Sequence, residues 1–270
     1  MSTAPNNHSL TVAGVVQALE SAMAARDPYT VGHQQRVTQI ACDIAAGMDL
    51  PDHQIEELRI AGRLHDLGKI AIPAEILTKT GQLTEIEFAM IKTHPQVAHD
   101  ILQPVSLPGQ INQIILQHHE RLNGSGYPRG LKGKKILLGS RILAVADVLE
   151  AMCTHRPYRP ALGLEQALAE LASNKGILYD EVAVDTCLQL FGNNSQGRRQ
   201  VLWEPAGRPQ KPSGFPGNQV TAVNKGAKPP KPWYSWRRPR FLSPDPRFLL
   251  HSAATSAMAA MMMLAARGGL

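Results

Sequence analysis

Ala61-Gly62-Arg63-Leu64-His65-Asp66-Leu67-Gly68-Lys69-Ile70 is the stretch on which the reading of this chain turns. Leu58, Ala61, Leu64 and Leu67 recur at helical spacing, which predicts a helix with one buried stripe. Neighbours on a helix point about 100° apart, so His65 and Asp66 reach into one cavity from adjacent directions. A charge in an apolar core is unfavourable unless it is paired or coordinates a metal. The dipeptide therefore asks either for a metal with further ligands from elsewhere or for a solvated turn.

Outward from this helix, which the pattern extends over about 52–67, helical periodicity dominates. Val12, Val15, Val16, Leu19, Ala22 and Met23 mark an amphipathic helix over 10–25. A second helix is expected with His33 near its start and Val37, Ile40, Ala41 and Ile44 on one side. Pro73 is placed to open a short helix. Thr84 with Glu87 three residues on forms a capping-box pattern. His94-Pro95 is expected to interrupt the helix that follows. Ile111, Ile114, Ile115 and His118 mark another, ending near Asn123-Gly124. Residues 124–139, rich in Gly and Lys, read as a loop. Ser140 to Ala151 is an apolar helix with Asp147 embedded in it. Helices over about 164–173 and 180–190 close the periodic part. Period-2 alternation is almost absent, so the ordered part is all-α.

Composition divides the chain. Residues 1–9 are polar and expected to be disordered, and 10–192 form the helical domain. Residues 193–248, rich in Pro, Arg and Lys, lack periodicity and are expected to be a disordered basic tail. Residues 249–270 are an Ala- and Met-rich segment, at most a short helix and too short to span a bilayer stably. The net charge of +6 resides mainly in the tail, and aromatics are only 5%, so a nucleic-acid-binding surface is not expected. The N-terminus lacks a basic start followed by an apolar run, so no signal peptide is expected. Cys42, Cys153 and Cys187 form no disulfide framework, which fits a cytoplasmic protein.

The chemistry lies in residues of ligand type: His33, His65, Asp66, His94, His118, His119 and Asp147. Asp147 is hardest to dismiss, because a carboxylate in the middle of an apolar helix needs a cation: a metal, Arg141 or Lys69. Five imidazoles and two carboxylates exceed what one metal takes. They suggest two divalent ions about 3.5–4 Å apart sharing a carboxylate. Nitrogen and oxygen donors without thiolate favour iron or manganese and admit zinc. Such a centre suits phosphodiester cleavage, since it acidifies a water and neutralises phosphate oxygens.

Four segments together resemble the HD-GYP domain, a branch of the HD phosphohydrolase superfamily. They are Asp27 to Val37, His65 to Pro73, His118 to Pro128 with its Gly126-Tyr127-Pro128 loop, and Ala146 through Arg159. The resemblance covers about 10–192 with the motifs in family order. It implies a helical bundle of the HD type and a metal-dependent phosphodiesterase that hydrolyses cyclic di-GMP to pGpG or GMP in bacterial signalling. It also implies that the seven residues above are metal ligands, with Asp66 bridging. Lys69 would contact the scissile phosphate and protonate the leaving oxygen. Tyr127, Arg156 and Arg159 would contact the ligand, and guanidinium suits both phosphate and guanine. Diguanylate cyclases of the GGDEF type are implied partners, and a homodimer is left open.

The sequence departs from the family pattern in places. Asn123 stands where Asp is usual, which is expected to weaken support for the histidines. Ala98 replaces a frequent Gly. Tyr29 stands where members with a third metal have Glu, which favours two metals. Glu150 replaces Asp. Two other readings stay open: a low-activity cyclic di-GMP sensor or scaffold acting through the Gly-Tyr-Pro loop, and an HD-type phosphohydrolase acting on another nucleotide.

Overall fold

In the computed structural model, residues 11–26, 28–79, 81–154 and 161–192 are described, side chains of 28–31 excepted. The expected loose N-terminus, the 193–248 tail and the 249–270 segment lie outside the described residues. The described residues contain ten α-helices and no strand. They are α1 (Val12–Arg26), α2 (Pro28–Gly47), α3 (Asp52–Leu64), α4 (Ala74–Leu77), α5 (Glu85–Ile91), α6 (His94–Leu102), α7 (Ile111–Gln117), α8 (Leu138–Cys153), α9 (Leu164–Ser173) and α10 (Glu181–Phe191). Two 3₁₀ turns, Leu67–Ala71 and Gly133–Lys135, link them. No described helix is long and apolar enough to cross a membrane.

The hydrophobic pattern explains the layering. Along α8, every residue from Ile142 to Met152 is buried, so this helix is the axis of the bundle. It packs against α2, α9, α7 and α3, while α2 and α3 share a broad interface. Val37, Ile40, Ala41 and Ile44 of α2, together with Leu58, Ala61 and Leu64 of α3, belong to one core with Ile142, Val145 and Leu149. Val16 and Met23 bring α1 onto that core, and Phe191 closes it at the other end of the domain.

Helix ends follow local chemistry. Thr84 and Glu87 form the expected capping box on α5. Asp180 caps α10 by accepting from the amides of Val182 and Ala183.

Four boundaries differ from the sequence reading, and each matters for the site. α2 begins at Pro28, not near His33, because proline suits the first helical turn. His33 therefore sits on an established helix. α3 ends at Leu64; His65 is its C-terminal flank and Asp66 precedes the 3₁₀ turn. The pair thus lies at a helix end, where two short elements meet, and not within a core helix. His94-Pro95 opens α6 instead of interrupting a helix, since Pro95 lacks only an N–H that a first turn leaves unpaired anyway. α7 stops at Gln117, which leaves His118 and His119 in the turn beyond it.

Gly68 shows why the 3₁₀ turn can pack so closely on α6. A Cβ there would lie 1.9 Å from the carbonyl oxygen of His94 and 2.7 Å from the amide nitrogen of Ala98. Only glycine allows that approach.

Candidate metal centre

Five elements bring seven ligand-type side chains together. α2 supplies His33, the α3 end supplies His65 and Asp66, α6 supplies His94, the turn after α7 supplies His118 and His119, and α8 supplies Asp147. All seven are buried. His33, His65 and Asp66 form one cluster of donor atoms, and His94, His118 and His119 form a second, each with its donors within 4.8 Å of one another.

Asp66 lies between the two clusters. Its Oδ2 is 3.6 Å from His33 Nε2 and 3.5 Å from His65 Nε2, while its Oδ1 is 3.6 Å from His94 Nε2. One carboxylate thus turns one oxygen toward each histidine group. Asp147 Oδ1 is 3.3 Å from His33 Nε2. His94 and His118 present their Nε2 atoms 3.4 Å apart.

The backbone sets the imidazole tautomers. His65, His94 and His118 each donate Nδ1–H to the carbonyl three residues earlier, on Gly62, Ile91 and Ile115, at 2.8, 2.7 and 2.6 Å. A carbonyl only accepts, so the proton is on Nδ1 and the Nε2 lone pair faces the centre. Burial pushes the His65, His118 and His119 imidazoles below the ordinary histidine value and His94 down to about 4. All four are neutral at pH 7 and in ligating form. Burial opposes ionisation of Asp66, but its neighbours, the Lys69 ammonium foremost, more than offset it, so its carboxyl stays well below the usual range. Asp147 is likewise held well below that range: burial resists ionisation, and His33, His65 and His118 together outweigh it.

The residues present fit a divalent-metal site. Buried His65 Nε2 and His119 Nδ1 have no hydrogen-bond partner, a state that is unfavourable unless something else satisfies it. The charge balance agrees. Lys69 Nζ sits 2.7 Å from Asp66 Oδ2, and neutral imidazoles add no charge. Arg141 is turned away to Asp180 and the Ile136 carbonyl. Neither Arg141 nor Lys69 answers Asp147; its neighbour is His33 Nε2 at 3.3 Å, a nitrogen of ligand type in its own right.

The Gly-Tyr-Pro loop is built onto the histidine turn. The Tyr127 amide donates to the His119 carbonyl at 3.2 Å. A Cβ on Gly126 would come within 2.4 Å of both His119 O and Glu120 Cα, so the loop lies directly on the turn. Buried Glu120 accepts from the amides of Arg129 and Leu131 at 2.7 and 2.9 Å and fixes the far side of the loop. The Tyr127 ring stacks on His119, with centroids 4.7 Å apart. Arg156 and Arg159 lie outside the described residues.

Two residues are placed differently from expectation. Asn123 is exposed and not beside the histidines; its Oδ1 accepts from Ser125 N and Oγ at 3.0 and 2.6 Å. An aspartate would make the same turn, so this departure leaves the histidines undisturbed. Glu150 has a larger part than a conservative replacement suggests, because its Oε2 accepts the Nδ1–H of His33. The signal was present: two carboxylates three residues apart in an otherwise apolar helix.

A family model described as an HD domain matches residues 17–182. The chain belongs to the HD-domain family. The motifs that resemble the HD-GYP branch fall within or beside this HD domain's matched span. The HD domain is similar to the cyclic di-GMP phosphodiesterase response regulator RpfG of Xanthomonas campestris, at 39% identity over 63% of this chain and 46% of that protein. A cyclic di-GMP phosphodiesterase of Thermotoga maritima is 40% identical over 65% of this chain and 48% of its own length. The chain therefore spans about half the length of the curated relatives it matches. A 3′3′-cGAMP-specific phosphodiesterase of Vibrio cholerae is 37% identical over 59% of this chain and 35% of its own. Among solved structures, Bd1817, an HDG"Y"P protein from Bdellovibrio bacteriovorus, superposes with a TM-score of 0.52 at 19% identity, covering 67% of this chain and 59% of that one. At that identity the likeness is one of fold. The HD fold thus accounts for the helical architecture, and HD-domain phosphohydrolases are divalent-metal proteins.

Proposed function

We propose that this HD domain is a phosphodiesterase with two divalent metals that opens cyclic di-GMP to pGpG or onward to GMP. The observation that carries the reading is Asp66, with one oxygen toward the His33–His65 group and the other toward the His94–His118–His119 group. Asp147 completes the first group and His118 and His119 the second. Iron or manganese suits this nitrogen and oxygen donor set, and zinc is compatible. When bound, the two ions would acidify an attacking water and neutralise charge on the phosphate oxygens.

The chain's own residues supply the rest. Lys69 Nζ, partly exposed beside Asp66, offers a hydrogen bond to a phosphate oxygen and holds the proton that the leaving ribose oxygen takes as the P–O bond breaks. The Tyr127 ring, braced by His119, gives a guanine base a flat wall. The guanidinium groups of Arg156 and Arg159 would suit the second phosphate or a guanine edge. Pro128 and Arg129 are exposed on the same loop, where a diguanylate cyclase of the GGDEF type would meet this domain. Three free cysteines and a nucleotide substrate fit the cytoplasm.

The names of the relatives support both this reading and a second one, a hybrid cyclic dinucleotide as substrate. Purified protein, elemental analysis and chromatography of products from cyclic di-GMP, 3′3′-cGAMP and cyclic di-AMP separate them. Two ions per chain and fastest loss of cyclic di-GMP are expected. Bound metal with preference for another nucleotide would move the substrate assignment. Neither metal nor turnover would leave a sensor or scaffold.

A further inference from the structure

Glu150 is 1% exposed by its side chain, and Arg36 of α2 is 30% exposed at the edge of the same cluster. Both oxygens of the Glu150 carboxylate are engaged. Oε2 takes His33 Nδ1–H. Oε1 takes Arg36 Nε at 2.8 Å, Arg36 Nη2 at 2.7 Å and Thr154 Oγ1 at 2.8 Å. The other three clustered imidazoles with an Nδ1 contact rest on backbone carbonyls, which side-chain substitution cannot remove. His33 alone takes its tautomer and aim from a side chain.

We infer that Glu150, held in place by Arg36, is a positioning residue that fixes His33 with its Nε2 toward Asp66 and Asp147, and so sets the affinity of the first metal position only. The inference rests on the two-metal reading above. A carboxylate ion accepts and never donates, so a neutral His33 bonded to it carries its proton on Nδ1 and its lone pair on Nε2. A carboxylate behind a ligating imidazole also raises its basicity, and losing such a partner weakens metal binding about 10- to 100-fold. Arg36 is required because a buried carboxylate facing only a neutral imidazole would be poorly compensated. The contacts described for this pair lead to His33 and Thr154, whereas the second position is built on His94, His118 and His119.

Glu150→Gln keeps the shape and removes the charge. Its amide N–H₂ either meets the Arg36 guanidinium or donates to His33 Nδ1, which moves the imidazole proton onto Nε2. Manganese titrated calorimetrically into metal-free protein reads the two positions. Two ions are expected for the wild type. In Glu150→Gln one should be weakened at least about 10-fold and the other unchanged. Arg36→Gln, at a partly exposed position, should weaken the same position to a smaller degree and serves if Glu150→Gln does not fold. Equal affinities in variant and wild type, or equal weakening of both positions, would overturn the inference while leaving the two-metal reading intact. A wild type that takes up fewer than two ions would overturn that reading and this inference with it.

Discussion

At the scale of single residues, the two roles proposed around Asp66 separate experimentally. Asp66 is the carboxylate common to both histidine groups, so Asp66→Ala should remove most metal uptake and abolish hydrolysis, read by elemental analysis and product chromatography. Hydrolysis unchanged in that variant would end the mechanism. Lys69 differs: its Nζ lies 2.7 Å from Asp66, but it is not of ligand type. Lys69→Met should keep both ions and lower kcat by about 10²- to 10⁴-fold, the usual contribution of a positioned proton donor. Loss of metal in that variant would recast Lys69 as a support for Asp66. The burial of the His-Asp pair was legible from the apolar stripe around it, whereas the dipeptide alone left a metal ligand and a solvated turn both open. Glu150 was harder to see. Its importance comes from a contact across 117 positions of sequence, to His33, and no periodicity records such a pairing.

At the scale of elements, the helices were legible and their ends were not. Apolar spacing fixed α1, α3, α8, α9 and α10 to within a few residues, because one buried stripe per helix is all that the pattern must encode. The ends of α3 and α7 were drawn too long. His65, Asp66, His118 and His119 keep the hydrophobic rhythm going, being buried themselves, so hydropathy alone could not show that the backbone had left the helix. The same feature puts ligand-type side chains at helix termini, where two elements converge. Asn123 shows the opposite error: closeness in sequence to the histidines was taken for closeness in space, whereas its side chain closes a turn on Ser125. The Gly-Tyr-Pro loop gives an element-scale prediction. A Cβ at Gly126 meets backbone atoms of His119 and Glu120 at 2.4 Å, and backbone cannot swing aside. Gly126→Ala should lift the loop and Tyr127 away from the centre while both metals still bind. Misplacement by about 1 Å can lower rate about 10²-fold, and here it should fall mainly on kcat/KM. A variant with unaltered kinetics would show that the loop is not part of the substrate site.

At the scale of the whole molecule, residues 193–248 are rich in Pro, Arg and Lys and carry no helical periodicity. A segment with no core pattern adds little to cooperative folding. Removing residues 196–270 should change Tm by less than about 2 °C, under about 1 kcal/mol for a domain of this size, as differential scanning calorimetry would show; a larger loss would place part of the segment on the core. Acid should act on the helical domain through the metal centre. In the unfolded chain its histidines titrate near 6.5; folded, burial holds His94 at about 4 and His65, His118 and His119 below their ordinary value. Between those limits the unfolded state binds more protons, so stability rises with pH there and falls as pH drops from about 6.5 toward 4. Asp66 and Asp147, held below the usual carboxylate range, extend the loss in the same direction at still lower pH. His94 alone, displaced from 6.5 to about 4, corresponds to about 3 kcal/mol once the window is crossed. Bound metal competes with those protons for the same lone pairs, so it should carry the folded state to lower pH. Melting curves of chelator-treated and manganese-loaded protein between about pH 5 and 8 test this. The metal-free protein should lose Tm steadily below about pH 6.5 and the loaded protein should lose it later. Parallel curves for the two forms would mean that the buried imidazoles are not where acid enters the fold.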